Sequence, residues 1–227
     1  MSGFAGRLAA VRRRIENAAR SAARDPGAIT VIGVTKRQPA SAVTEALAGG
    51  LADFGENFVQ EALEKMAAVD DPRARWHFIG GIQSNKTRSI AENFAWVHSI
   101  DRLKIARRLS DQRPDSLPPL NVCLQVHLGG EDTKSGAPPA DIPALAAAVS
   151  ELPRLDLRGL MAVPPPETDP VLQRAWFARL RELLEVLRAA GIDADVLSMG
   201  MSADLEAAVA EGATHVRIGT ALFGPRS

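Results

Sequence analysis

The chain has 227 residues, 46 % apolar and 24 % charged, an ordinary globular composition with ample material for a core. Its formal net charge is zero at pH 7, so it carries no electrostatic footprint for nucleic acid or an anionic membrane, and no apolar run reaches transmembrane length. The single cysteine, Cys123, lies in an apolar run, reads as a small core residue and can form no internal disulfide, which fits a reducing cytoplasm.

The first 20 residues are basic and lack the continuous apolar stretch of a signal peptide. Phe4, Leu8, Val11 and Ile15 recur at helical spacing, so an amphipathic helix is expected, packed under the rest of the fold or against a partner. Residues 29–36 follow as a buried strand, with Ile29, Val31, Ile32 and Val34 as its apolar positions and Lys36 at its end. A helix over 40–48 ends at Gly49-Gly50. A short strand at 52–55 leads through Glu56-Asn57 into a helix to about 68, broken at Asp71-Pro72. The third strand is 76–80, then a loop to Lys86 and a helix over 87–93. The fourth strand is 96–100, and Asp101 is expected to cap the helix that runs to Leu109. After a proline-rich loop, 120–128 is the fifth strand, followed by a polar, glycine-bearing loop over 129–136. A helix over 142–151, a sixth strand over 157–163, the longest helix over 170–190 and a seventh strand over 194–197 complete the regular alternation. The loop 198–202, a helix over 203–210, an eighth strand over 214–218 and the turn beginning at Gly219 close the chain.

Strands alternating with helices imply a parallel sheet, and eight such units in this length match a single (β/α)8 TIM-like barrel over 1–227 with an extra N-terminal helix. An open doubly wound sheet uses the same alternation with fewer strands in one plane; the count of eight decides for the barrel. By position alone Lys36 reads first as a solvated loop cation. A lysine just past a strand's carboxyl end also points to where such folds bind ligands, and a partly desolvated amine exposes its lone pair for a Schiff base. Closure would bring Lys36 beside the loops after strands seven and eight, which in this fold frequently hold phosphate. Ser198 and Ser202 supply hydroxyls there, and Gly219 and Thr220 a turn with open N–H groups. Each alone is as readily a helix cap or a turn former. A ligand with an aldehyde for the lysine and a phosphate for the loops is implied, and pyridoxal 5′-phosphate (PLP) has both.

The chain resembles the pyridoxal phosphate homeostasis proteins of the alanine-racemase-like, fold type III group. The resemblance rests on Val34-Thr-Lys-Arg-Gln-Pro39, Phe54-Gly-Glu-Asn-Phe-Val-Gln-Glu61, Trp76-His-Phe-Ile-Gly80 with Gln83-Ser-Asn-Lys86, Lys134-Ser-Gly136, Gly159-Leu-Met-Ala162, Leu197-Ser-Met-Gly-Met-Ser202 and Val216-Arg-Ile-Gly-Thr220, which together cover essentially the whole chain. It implies an alanine racemase N-terminal domain-like barrel that carries PLP on Lys36 as an internal aldimine. It further implies a phosphate cradle of Gly219, Thr220, Ser202, Ser198 and Met199, with Arg217 facing the pyridine nitrogen and Asn57 in the pocket lining. The implied role is intracellular cofactor buffering without established turnover, by a monomer that passes PLP transiently to apo-enzymes, touching neither nucleic acid nor membrane. Phe58, Gly81 and His127 depart from residues common in the family, and His127 leaves the polar side of the pocket open.

Two features argue for a carrier. A cation at the ring nitrogen disfavours its protonation and weakens it as an electron sink. Racemases of this fold use a tyrosine as second base, and this chain has none and is too short for their additional β domain. The alternative is a fold type III enzyme such as a weak amino-acid racemase, and a third reading is a barrel aldolase that uses Lys36. Residues 80–87 nearly spell a phosphate-binding P-loop, with Asn85 in place of a glycine. His77, His98, His127 and His215 show no metal-ligand spacing. The roles of Lys86 and Lys134 stay open between pocket-rim amines and solvated cations.

Overall fold

The computed structural model describes residues 3–129 and 135–224. Its strands are β1 (Thr30–Val34), β2 (Asp53–Glu56), β3 (Arg75–Phe78), β4 (Trp96–Ile100), β5 (Leu120–Gln125), β6 (Leu155–Met161), β7 (Val196–Ser198) and β8 (His215–Ile218). Each pairs in parallel with the next, and β8 pairs with β1, so the sheet closes into a barrel. The helices are α1 (Phe4–Ser21), α2 (Ala40–Ala48), α3 (Val59–Val69), α4 (Thr87–Asn93), α5 (Leu103–Gln112), α6 (Ile142–Ser150), α7 (Pro170–Ala189), α8 (Leu205–Ala210) and α9 (Thr220–Phe223). This is the (β/α)8 architecture that the alternation predicts. Among the described residues no helix is long and apolar enough to cross a membrane.

Local chemistry sets the element ends. Pro39 starts α2 from an extended backbone, and Gly49 with Gly50 at φ +82° stops it. The Asp169 side chain accepts the Val171 N–H, Pro170 fills the first turn of α7, and Gly191 at φ +84° follows its end. Asp101 is not the cap expected of it. The α5 cap position is Arg102, and the Asp101 carboxylate instead pairs with the Arg102 guanidinium at 2.8 Å.

Alternation along each strand makes two layers. Outward residues such as Phe54, Phe78, Val97 and Val122 are buried beneath the helices. Inward residues fill the barrel, with Ile32 and Ile79 so close to Gly55 that an added Cβ would meet each at 3.0 Å. Gly159 has φ +154°, and a Cβ there would lie 2.0 Å from the Val196 carbonyl oxygen, so only glycine lets β6 approach β7. Helix α1 does not sit under the barrel. Its buried stripe Phe4, Leu8, Val11, Ile15 and Ala19 packs along the outer layer against α2, α8 and α9, and Phe4 meets Phe223 with ring centroids 5.5 Å apart. The short α8 and α9 leave a gap outside the β8–β1 seam that α1 fills.

Candidate functional site

Lys36 follows the carboxyl end of β1 and is half-buried. Its two chain neighbours are fastened. The Thr35 N–H donates to the Gly55 carbonyl at 3.1 Å, extending the β1–β2 pairing. The Thr35 hydroxyl donates to Glu56 Oε1 at 2.6 Å. Lys65, from α3, donates to the Thr35 carbonyl at 2.5 Å, to Glu56 Oε1 at 2.7 Å and to Glu61 Oε1 at 2.6 Å. Glu61 in turn accepts the Arg37 N–H, and Arg37 is in the left-handed region at φ +60°. Glu56 is fully buried, and Lys65 is 5 % exposed. Burial raises the Glu56 carboxyl above its usual range, opposed by the bonds from Lys65 and Thr35. The buried pair behind the β1–β2 edge thus brackets the residue that carries the amine.

Across the seam, β8 pairs Arg217 with Ile32 of β1. The Arg217 side chain is 4 % exposed. Its Nη1 donates to the Ser198 carbonyl at 2.6 Å and to the Ser198 hydroxyl at 2.8 Å, and its Nη2 donates to the Ala162 carbonyl at 2.8 Å. Its Nε has no hydrogen bond among the described residues. Burial lowers its pKa to about 10, which leaves it a cation at pH 7. Ser198, the last residue of β7, is fully buried. Met199 is fully buried too, and its N–H donates to the His215 carbonyl at 3.0 Å. Gly200 at φ +92° turns the chain where a Cβ would come within 2.4 Å of Ala208 Cβ. Ser202 lies in the half-exposed loop beyond, its carbonyl accepting Arg14 Nη2 at 3.0 Å. Gly219 caps α9 beside β1, with 3.6 Å from a hypothetical Cβ to Val34 Cβ. The first N–H groups of α9, on Thr220 and Ala221, have no acceptor within the helix.

Asn57 follows β2 on its inward register. Its Oδ1 is buried without a hydrogen-bond partner. Gly80, just past β3, is held to glycine by the Asn57 backbone, whose carbonyl oxygen would lie 2.3 Å from a Cβ. Phe58 is exposed at 51 % and, with Asn57, Gln83 and Lys86, lines a surface cavity of about 340 Å³. Lys36, Asn57, Ser198, Ser202, Arg217, Gly219 and Thr220 therefore all stand at the carboxyl end of the barrel. Ser198 and Arg217 touch directly. Lys86 is exposed, while Lys134 lies outside the described residues.

The barrel's interior holds a polar group that no spacing motif joins. His77 and His98 face inward from β3 and β4, His77 Nδ1 is 3.0 Å from His98 Nε2, and His98 Nδ1 is 2.8 Å from the Ser198 hydroxyl. His215 of β8 completes the group, its ring 6.0 Å from that of His98. Burial pushes all three below the usual histidine range, His98 farthest and His215 to about 4, so they are neutral at pH 7. Among the described residues no group of acidic, cysteine and histidine side chains could hold a metal ion. Nor do residues 80–87 form a P-loop cradle. Their helix, α4, begins at Thr87, whose hydroxyl donates to the Ser84 carbonyl at 3.0 Å.

A family model described as alanine racemase, N-terminal domain, matches residues 7–227. A pyridoxal phosphate homeostasis protein of Pseudomonas aeruginosa is 62 % identical over 226 residues, covering 100 % of this chain and 97 % of its own. The structure of PipY from Synechococcus elongatus PCC7942 with PLP bound is 39 % identical, with a TM-score of 0.86 over 97 % of this chain and all of that one. An alanine racemase of Clostridium difficile 630 aligns with a TM-score of 0.75 over 93 % of this chain and 56 % of its own; at 14 % identity it shares the fold.

Proposed function

The chain belongs to the pyridoxal phosphate homeostasis protein family, and from that premise we propose that it binds PLP as a Schiff base on Lys36 and buffers the cofactor in the cytoplasm without catalytic turnover. The observation that carries this reading is Arg217. It is a buried guanidinium fixed at both Nη atoms, with Nε left for a ligand, on the strand beside the one that leads to Lys36. The orphaned Asn57 Oδ1 and the glycine at 219 fit a ligand at the same end of the barrel.

When bound, PLP supplies an aldehyde for the lysine amine and a phosphate for the loops. Lys36, bracketed by Thr35 and Arg37, offers its amine from a fixed backbone. Ser202, Gly219 and Thr220 offer hydroxyl and N–H donors to the phosphate. Met199 serves as the buried link from Ser198 to that loop, since its own N–H is engaged by His215. Arg217 would disfavour a proton on the ring nitrogen, and the chain has no tyrosine to act as a second base. Both features suit retention and release more than carbanion chemistry. The reading includes a monomeric barrel that hands PLP to apo-enzymes.

The test is borohydride reduction after incubation with PLP, followed by peptide mass mapping. The adduct is expected on Lys36 and absent from Lys36→Ala. An adduct scattered over Lys65, Lys86, Lys104 and Lys134 would overturn the assignment. Amino-acid turnover by loaded protein, abolished in Lys36→Ala, would replace the carrier with an enzyme.

A further inference from the structure

One continuous chain of hydrogen bonds runs through the barrel from its amino-terminal end to the ligand end. Arg75, the first residue of β3, donates to both Asp53 oxygens at 2.7 Å. Asp53, the first residue of β2, lies 3.0 Å from His77 Nε2 through Oδ1. His77 Nδ1 meets His98 Nε2 at 3.0 Å, His98 Nδ1 meets the Ser198 hydroxyl at 2.8 Å, and that hydroxyl accepts Arg217 Nη1 at 2.8 Å. The two histidines are fully enclosed.

The order of the protons follows from the ends of this chain. Burial works against the Asp53 charge, but the bonds from Arg75 and His77 outweigh it and hold the carboxyl well below its usual range, so it is an anion that only accepts. His77 must therefore carry its proton on Nε2. The histidines are neutral: burial dominates, the cations Arg75 and Arg217 act on them with Arg158 over Trp96, His215 stands beside them, and Asp53 is the one anion in direct contact among the described residues. A neutral His77 has a bare Nδ1 and must accept from His98 Nε2–H. His98 then has a bare Nδ1 and must accept the Ser198 hydroxyl proton. That hydroxyl presents only lone pairs to Arg217. No other arrangement of neutral rings satisfies every link.

We propose that this chain is a through-barrel relay in which the Asp53 anion dictates how the Ser198 hydroxyl and, through it, the Arg217 guanidinium are set at the ligand end. Asp53, His77 and His98 are thereby positioning residues for the ring-nitrogen side of the cofactor. The relay's effect on the ligand rests on the PLP reading above; the relay itself does not. The histidine rings also link pairwise through Trp96, whose ring stacks on His77 at 5.6 Å and 11° and faces His98 at 5.6 Å, which limits either imidazole from turning out of line.

The experiment is long-range proton–nitrogen correlation NMR on the ¹⁵N-labelled full chain without ligand at pH 7, which reports the tautomer of each ring. His77 and His98 are expected as Nε2–H tautomers. In Asp53→Ala, which removes an acceptor that His98 never touches, the His98 tautomer ratio is expected to shift toward an even mixture. PLP retention by that variant, followed by absorbance during dialysis, is expected to weaken about three- to tenfold, the scale of one net hydrogen bond. A His98 with its proton on Nδ1 in the wild-type chain would overturn the relay, and this arm needs no variant to fold. An unchanged His98 ratio in folded Asp53→Ala, or in the similarly sized apolar Asp53→Leu if the alanine variant does not fold, would overturn it equally. If the wild-type chain takes up no PLP, the proposed function fails while the tautomer result still judges the relay.

Discussion

Replacing Lys65 with methionine should be among the most damaging single changes outside the barrel interior. Methionine keeps the aliphatic stem but removes the ammonium that bonds Glu56, Glu61 and the Thr35 carbonyl. Glu56 stays behind as a fully buried carboxylate whose Oε2 already lacks a partner. Breaking a buried pair from one side typically costs about 3–5 kcal/mol. The lost bond to Thr35 adds about 1 kcal/mol, and the half-exposed Glu61 adds little. A loss of about 5 kcal/mol is therefore expected, a large fraction of the roughly 5–15 kcal/mol that a domain has. Urea unfolding at pH 7 measures it. Burial raises the Glu56 carboxyl against the pull of Lys65, so without Lys65 it rises further and the folded variant takes up that proton at higher pH than the folded wild type; the loss should therefore shrink at pH 5. Adding Glu56→Met to Lys65→Met should recover most of the stability, since an apolar pair replaces an ionic one. A loss under about 1 kcal/mol, or one that grows on acidification, would refute this account.

Two further outcomes follow from burial and backbone geometry. The His215 pKa falls to about 4 in the folded chain because of burial, so the unfolded chain protonates first as pH drops below about 6.5, and stability is lost on the way down. Between pH 7 and 5 that amounts to about 2 kcal/mol, and His215→Gln should flatten the urea-derived pH profile by that amount; an unaltered profile would count against a neutral His215. Gly159→Ala forces a Cβ against the Val196 carbonyl and should remove about 3 kcal/mol or more, lowering the thermal midpoint by about 6–12 °C. A drop under about 3 °C would mean that β6 and β7 can part without consequence.

The fold was legible because its punctuation is local. Pro39 and Gly49 bound α2 where the sequence places it, and the Trp96–Ile100 strand needs only its own apolar run and the polar residues after it. Lys36, Ser198 and Gly219 were legible as strand-end residues once eight alternating units implied closure. Lys65 was not. On its helix it reads as a solvated partner of Glu61 four residues earlier, and only the packing of α3 on β2 drives it against Glu56. The histidine relay escaped for a similar reason. His77, His98 and Ser198 lie 21 and 100 residues apart, so no spacing motif joins them, and strand alternation alone does not say which face of a barrel is polar. Asp101 misled because a capping residue before a helix is also a good partner for an adjacent arginine.

The seam where β8 meets β1 has a consequence for synthesis. Lys36 emerges early in translation, whereas Arg217 and Gly219, across the seam from the strand that leads to it, come from the last strand and the turn after it. Loop closure over that separation is the slowest kind of contact to form. A ribosome-bound chain halted before β8 has its lysine but neither the guanidinium nor the α9 turn. The residues at this end of the barrel therefore come together only once the final strand has docked. On the proposed reading, an aldehyde met by the growing chain would find ordinary amines, and selective capture at Lys36 would be a property of the finished barrel.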